Sequence, residues 1–272
     1  MSFIMENYSM ILAMMATGVV GGILAGLLGV GGGIVIVPVL YFLYQGMGVS
    51  ADSAMLVATA TSLATIIPTS ISSIRSHKAK GNVDFDLLKR WGFFIFAGVM
   101  VGSFVVTRVD GQWLSLLFGV IATLSALNML LGKKDSVFKS LPGNAGQSVM
   151  ATCIGFFSSM VGIGGGTLTV PTLTFCNYPA HRAVGTAAAV GLIISLPAAL
   201  TMLIFGQSPV DAPYGTVGLV NLIGVICIIP LTVLFAPVGA GLAHRLDASK
   251  LKKVFAVVLI FTGIKMLYQV LG

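Results

Sequence analysis

A short glycine motif occurs twice in this chain, and each copy interrupts a long apolar segment. Residues 29–38 read GVGGGIVIVP and residues 162–171 read GIGGGTLTVP, so six of the ten positions are identical. Three consecutive glycines weaken a helix by about 1 kcal/mol each relative to alanine. They also free backbone N–H groups that lipid cannot satisfy, so such backbone must be packed in protein or line a cavity. Two matching interruptions in two halves of a membrane protein are typical of a transport site.

The composition identifies the bilayer as the solvent for this chain. Of its 272 residues, 57% are hydrophobic and 8% are charged, and the mean hydropathy is +1.03. These values exclude an ordinary water-soluble domain. Apolar runs of about 20 residues, the length that spans a bilayer core, recur along the chain. The sequence therefore predicts an all-α integral protein of the inner-membrane type that crosses the lipid bilayer several times.

The similarity between the two halves extends beyond the glycines. A second set of identical residues recurs at a spacing of 137, against 133 for the glycine motifs: Gly102, Arg108, Asp110, Leu114 and Phe118 match Gly239, Arg245, Asp247, Leu251 and Phe255. We therefore predict two homologous four-segment repeats, residues 1–132 and 146–272, joined by a polar linker at 133–145. Each repeat opens with a glycine-broken helix and continues with three spanning helices. We predict these spans at about 53–74, 91–107 and 112–131 in the first repeat and at about 181–205, 216–235 and 248–271 in the second.

Positive charge indicates how these segments are oriented. Lysine and arginine concentrate in 75–90, in the linker and in 244–253, and the positive-inside rule places such clusters in the cytoplasm. If each broken segment crosses the membrane, the repeats are parallel and 244–253 falls outside. If each is a re-entrant hairpin, the second repeat is inverted and all three clusters lie inside. We prefer the inverted arrangement, in which the loop 206–215 is external.

The glycine motifs predict a binding site for a small anion. Successive glycine amides can form an anion-binding concavity, and a helix that resumes after them presents a partly positive N-terminus. We expect Pro38 and Pro171 to lie in the first turn of those resumed helices. The candidate substrate-binding residues are Gly31, Gly32, Gly33, Gly164, Gly165, Gly166, Thr61, Ser62 and Thr186. The alternative is that the glycines only permit close helix crossing and that the hydroxyls bond to their own helix backbone.

The remaining polar residues argue against other chemistry. All eight carboxylates lie in predicted loops or at helix ends, so a proton or Na⁺ relay built on a buried carboxylate is not expected. The histidines His77, His181 and His244 are dispersed, and neither a G-x-S-x-G nor a G-K-[ST] motif occurs. We therefore predict no catalytic residue, no metal, no cofactor and no nucleic-acid partner. Arg75 with His77, and His181 with Arg182, are interpreted as topology anchors, the alternative being that they attract anions to the inner mouth.

The motif G-x-G-G-G-x-x-x-V-P occurs in each half and is followed by ATSL at 60–63 in the first and by GTAA at 185–188 in the second. With these residues the chain resembles the sulfite exporter TauE/SafE family, which belongs to the 4-toluene sulfonate uptake permease group. The resemblance covers essentially the whole chain, although Ala187 stands where the family often has serine. It implies a bacterial plasma-membrane transporter that exports a small sulfur-containing oxyanion such as sulfite or an organosulfonate. Uptake of thiosulfate or a sulfonate and a passive anion channel are the alternatives. An embedded enzyme or an assembly factor fits these motifs less well, and the oligomeric state is not indicated.

Overall fold

The computed structural model describes residues 8–28, 32–131, 140–242 and 248–271, which form ten helices and one short hairpin. The helices are α1 (Tyr8–Leu28), α2 (Gly33–Gly46), α3 (Ala51–Ala79), α4 (Phe85–Val106), α5 (Gly111–Leu131), α6 (Asn144–Val161), α7 (Gly166–Phe175), α8 (Ala180–Ile204), α9 (Leu222–Leu242) and α10 (Ala248–Leu271). The hairpin pairs β1 (Thr216–Val217) with β2 (Val220–Asn221), antiparallel. Gly31 and most of the predicted linker lie outside the described residues.

Length and exposure of the helices fit a protein embedded in lipid. In the described part of the chain, α3, α4, α5, α8 and α9 are long and apolar enough to cross a membrane. Shorter apolar stretches occur within α1, α2 and α10. Large apolar side chains such as Phe93 and Phe261 are 73% and 69% exposed, which suits a surface that faces acyl chains. The prediction of a helical, multi-pass membrane protein is confirmed.

Hydrogen-bonding caps decide where the spanning helices begin. Asp84 caps α4, because its Oδ1 accepts hydrogen bonds from the backbone N–H groups of Asp86 and Leu87. Asn221 has the same role before α9, where its Oδ1 accepts from the Gly224 N–H at 2.7 Å. The sequence predicts that this span begins at about residue 216, which is wrong, because residues 216–221 form the hairpin and the cap.

The two prolines of the glycine motifs lie deeper in their helices than expected. Helix α2 begins at Gly33 and α7 at Gly166, so Pro38 and Pro171 fall in the second turn and not the first. The prediction was wrong because each helix resumes at the third glycine of its motif, five residues before the proline. Each proline then leaves one carbonyl near the start of its helix without the usual N–H partner.

Helices of the first half pack on helices of the second half. Helix α1 packs on α9 and α6 on α4, while α3 packs on α8 and α5 on α10. Close approach depends on glycine: a β-carbon at Gly22 would lie 2.8 Å from the Thr232 Cα, and one at Gly155 would meet the Ile95 carbonyl. A second pair of such contacts joins Gly239 to Ile23 and Gly102 to Phe156. In the first pair, Gly22 and Gly155 are 133 residues apart, and Ile95 and Thr232 are 137 apart. In the second pair the same spacings separate Ile23 from Phe156 and Gly102 from Gly239.

Side-chain contacts define the two ends of the bundle. At the first, which we call the Asp211 end, the Asp211 carboxylate accepts hydrogen bonds from the Ser50 N–H at 2.8 Å and from the Ser53 hydroxyl. The start of α5 lies beside them, where the Gln112 N–H donates to Asp52 Oδ1. The Asp211 end therefore holds the starts of α3 and α5 and the loop between α8 and α9.

The opposite end, which we call the Asp84 end, holds the starts of α4, α6 and α8. Asp84 Oδ2 accepts hydrogen bonds from the Tyr178 hydroxyl and from Arg182 Nη2, the latter at 2.9 Å. Nearby, Trp91 Nε1 on α4 donates to Gln147 Oε1 on α6 at 3.1 Å. These contacts tie the loop after α3 to the loop between α7 and α8.

Candidate functional site

The two glycine turns meet in the middle of the bundle. A β-carbon at Gly33 would lie 2.7 Å from the Gly162 carbonyl oxygen and 2.8 Å from the Ile66 Cδ1, so the first turn packs directly on the second. Ile66 lies near the midpoint of α3. Gly165 packs against Gly191, near the midpoint of α8. Both turns therefore lie about halfway along the two longest spans.

The backbone at the turns leaves two helix N-termini without side-chain caps. Gly32 and Gly164 have φ values of 76° and 66°, a region that costs other residues about 1–2 kcal/mol. Gly32 and Gly165 are the N-caps of α2 and α7, and neither cap position makes a side-chain hydrogen bond. The first N–H groups of a helix have no partner within the helix, and the macrodipole adds partial positive charge there. Both N-termini thus present hydrogen-bond donors at mid-depth.

A cavity of about 70 Å³ reaches the second glycine turn. The turn contributes Gly165 and Gly166, and the second half of α3 contributes a series of hydroxyls from Thr69 to Ser76, followed by His77. Alanine, glycine and proline residues of α1, α8 and α9 complete the wall. Because α3 leads from the middle of the bundle to the Asp84 end, the cavity extends from the turn towards that end.

Several buried hydroxyls near the turns lack a hydrogen-bond partner in the described structure. They belong to Thr167 and Thr169 at the start of α7, Ser195 on α8, and Thr59 and Ser158 beside Gly162. All five residues are at most 6% exposed. A buried polar group left without a partner costs about 1–3 kcal/mol. The region therefore holds donors that the described protein atoms do not satisfy.

The predicted site residues fall into different environments. Gly165 and Gly166 line the cavity, Gly32 and Gly33 form the start of α2, and Gly164 packs on Ile66. The hydroxyl of Ser62 donates to the Gly162 carbonyl at 2.8 Å and so holds the second turn against α3. Thr61, Ser62 and Thr186 are buried but do not contribute to the described cavity wall.

Thr61 and Thr186 have equivalent partners in the two halves. The Thr186 hydroxyl accepts a hydrogen bond from the Asp84 N–H at 3.0 Å, and the Thr61 hydroxyl accepts one from the Asn221 N–H at 2.9 Å. Asp84 and Asn221 are the caps of α4 and α9 and are 137 residues apart, the spacing of the second set of repeated residues. Each threonine therefore anchors the cap of a spanning helix of the other half.

A tyrosine completes each of these groups, which we call the Asp84 cluster (Asp84, Tyr178, Arg182, Thr186) and the Asn221 cluster (Asn221, Tyr44, Thr61). The Tyr44 hydroxyl lies at Gly224, where a β-carbon would be 3.2 Å from both this hydroxyl and Asn221 Oδ1. All members of the Asn221 cluster are fully buried. By contrast, Arg182 in the Asp84 cluster is 49% exposed.

The Asp84 cluster is held together by charge. Burial alone would raise the pKa of Asp84, but hydrogen bonds from the Tyr178 hydroxyl and the Leu87 N–H, together with the Arg182 charge, lower it. Burial and the Asp84 carboxylate raise the pKa of Tyr178 to about 12. Asp84 is therefore an anion at neutral pH that binds both neighbours.

The serines of α3 and Thr167 were not among the predicted site residues. Residues 70–77 read SISSIRSH, so four serines fall within eight residues in the second half of α3. Such a concentration of hydroxyls is the signal that could have identified this wall of the cavity. Among the cavity-lining residues, none is a carboxylate, lysine or arginine, and the described residues contain no cluster of potential metal ligands.

Comparison with known proteins agrees with the resemblance carried by the glycine motifs. The family model described as "Sulfite exporter TauE/SafE" matches residues 14–266. A "Probable membrane transporter protein" of Haemophilus influenzae is 31% identical over 260 residues, covering 95% of this chain and 98% of that protein. The "Probable membrane transporter protein YunE" of Bacillus subtilis is 26% identical over 276 residues, covering 93% and 95%. No solved structure matches the chain. The chain therefore belongs to the sulfite exporter TauE/SafE family and is a multi-pass membrane transporter.

Proposed function

We propose that the protein transports a small sulfur-containing oxyanion, of the sulfite or organosulfonate type, and that the anion binds at the glycine turns. The observation that carries this proposal is the cavity that ends at the uncapped N-terminus of α7. Hydroxyl and amide groups donate hydrogen bonds to the oxygens of such an anion, and the helix dipole favours its negative charge. The cavity-lining residues include no carboxylate that would repel it.

The two repeats, residues 1–132 and 146–272, are inverted in this proposal, and each broken segment is re-entrant. In the second repeat, α6 begins at the Asp84 end beside Trp91, and α7 ends there beside Tyr178. In the first, α2 ends next to the last turn of α10, where Gln269 Nε2 donates to Gln45 Oε1. The matching contacts of Gly22 and Gly155 support the same symmetry.

The course of α1 supports a re-entrant first segment. Gly18 lies against Ile228 and Gly22 against Thr232, so α1 and α9 run in the same direction. Because α9 follows the Asp211 loop, α1 also begins at the Asp211 end, where α2 returns. Each repeat then has three full spans, an odd number, which places the second repeat upside down relative to the first.

The distribution of positive charge indicates how the protein is oriented in the membrane. The Asp84 end carries basic residues including Lys78, Lys80 and Arg90, so the positive-inside rule assigns it to the cytoplasm. The cavity then extends towards the cytoplasm while the Asn221 cluster closes the external side. A transporter in this conformation exchanges its anion with the cytoplasm, and export is the direction that we propose for it. Opening outwards requires the Asn221 cluster to separate and the cavity to close towards the cytoplasm.

Anion binding to the purified protein tests the substrate class. Isothermal titration in detergent with sulfite, thiosulfate, methanesulfonate, sulfate and chloride should give saturable binding for at least one sulfur oxyanion and much weaker binding for chloride. Flux from proteoliposomes of defined orientation then separates export from uptake, and a saturable rate separates a carrier from a passive channel. Absence of binding for all five anions in a folded sample would overturn the proposal.

Sided labelling tests the topology independently of the substrate. In a background without the three native cysteines, single cysteines replace Tyr8 and Met47, which flank the first broken segment, or Asn144 and Ala180, which flank the second. We expect the first two to be labelled from outside and the last two from the cytoplasm. Labelling of Tyr8→Cys and Met47→Cys from opposite sides would show that the segment crosses the membrane.

A further inference from the structure

We propose that His77 takes up a proton when an anion binds in the cavity, so that the two are carried together. This inference rests on the proposed function, because it concerns the same cavity. His77 lies in the last turns of α3 and lines the cavity together with the hydroxyls of that helix. It is the titratable side chain among the cavity-lining residues.

The environment of the His77 ring indicates a missing partner. Its Nδ1 atom is buried, and no described protein group forms a hydrogen bond with it. Buried side-chain nitrogen atoms are normally paired. A ligand oxygen in the cavity could accept a hydrogen bond from this atom when Nδ1 carries a proton, and the bond becomes charge-assisted once both ring nitrogens are protonated.

The charges around His77 leave the role of counter-ion to the ligand. The cavity-lining residues on α1, α7, α8 and α9 carry no ionisable group. On α8, Arg182 is already paired with Asp84 at the cap of α4. The charged residues near His77 on its own helix and at its end are all basic: Arg75, Lys78 and Lys80. A positively charged imidazole in this setting lacks a carboxylate partner in the cavity wall, and an anion bound beside it supplies the negative charge.

The coupling follows from linkage between the two binding events. An anion favours the protonated ring through a charge-assisted hydrogen bond, and by reciprocity the protonated ring favours the anion. In the bound state the ring holds one extra proton, taken from the cytoplasmic solvent, and no bond in the anion is made or broken. Release of the anion on the other side of the membrane removes the charge-assisted hydrogen bond, so the ring loses its proton there as well.

Calorimetry with anions that do not titrate near neutral pH tests this inference. Methanesulfonate and sulfate are titrated into the full-length protein at about pH 5.5 and about pH 8, in buffers of different ionisation enthalpy that report proton uptake. We expect binding about tenfold tighter at the lower pH, with net proton uptake between these limits. His77→Gln should bind with an affinity that does not depend on pH and without proton uptake. His181→Gln, an exposed histidine outside the cavity wall, should behave like the wild type.

The outcomes separate this inference from the proposed function. If the wild type binds these anions equally well at both pH values, or if His77→Gln retains the same pH dependence and proton uptake, His77 is not the coupling group. If His77→Gln does not fold, His77→Asn is compared in the same way. If the wild type binds neither these anions nor sulfite or thiosulfate at any pH, the proposed function itself fails.

Discussion

Replacing Gly165 with alanine should weaken anion binding because the added methyl group displaces the N-terminus of α7. The new β-carbon would lie 2.7 Å from both the Gly191 nitrogen and Val190 Cγ1. The side chain can rotate, but the backbone nitrogen cannot, so α7 and α8 must separate by several tenths of an ångström. Overpacking of this kind costs about 1–3 kcal/mol of stability. Loss of one charge-assisted hydrogen bond to the ligand costs about 1.5–3 kcal/mol, which corresponds to about ten- to a hundredfold in affinity.

Titration calorimetry and thermal unfolding in detergent measure the two effects separately. Gly46→Ala is the matched control, because Gly46 is the last residue of α2 and a β-carbon there would meet nothing within 4 Å. We expect the control to bind the anion as the wild type does, with equal or slightly higher thermal stability. A Gly165→Ala protein that is folded and binds the anion as tightly as the wild type would refute the assignment of the site to the start of α7.

Three further sets of substitutions test the contacts that support the fold around the site. Hydrogen bonds from the Ser53 hydroxyl and from backbone N–H groups hold the pKa of Asp211 at about 2. The ionised carboxylate therefore stabilises the fold at pH values above the ordinary carboxyl pKa of about 4. The difference in melting temperature between the wild type and Asp211→Asn should be present at pH 5 and should disappear as the pH falls towards 2. Asp84→Asn keeps the cap of α4 but loses the ion pair with Arg182, so it should lower the free energy of unfolding by about 1 kcal/mol or less. Asp84→Ala also loses the cap and should lower it by about 1 kcal/mol more in chemical unfolding. Equal losses in the two variants would contradict the capping role. Gly22→Ala and Gly155→Ala insert a methyl group at equivalent helix contacts, and each should lower stability by about 1–3 kcal/mol; a large effect of only one would contradict the symmetry.

The positions of the spans could be predicted from the sequence because apolar length and glycine or proline punctuation determine them. The predicted spans at 112–131 and 248–271 differ from α5 and α10 by at most one residue. The start of α9 could not be predicted, because it depends on an asparagine cap that Thr61 holds from the other half of the chain. Tertiary contacts of this kind have no local sequence signal.

The candidate site was only partly predictable for a related reason. The glycines stand out in the sequence because three of them occur in a row in each half of the chain. Which face of α3 borders the cavity depends on the rotation of the helix, and α3 is buried along most of its length, so hydrophobic periodicity carries little information. Thr61 is therefore among the predicted site residues and Ser73 is not, although the structure places Ser73 in the cavity wall. The equivalence of Asp84 and Asn221 at a spacing of 137 was also hidden, because the two residues are not identical.

Protection of a single cysteine in the cavity tests the anion site most directly. Ser73→Cys, in a background without Cys153, Cys176 and Cys227, is treated with a membrane-impermeant maleimide in right-side-out and inside-out vesicles, with and without saturating methanesulfonate. We expect labelling from the cytoplasmic side that the anion slows, whereas Ser140→Cys, exposed outside the cavity, reacts at the same rate in both conditions. Labelling of Ser73→Cys that is unaffected by an anion shown to bind, or that occurs only from outside, would contradict an anion site reached from the cytoplasm.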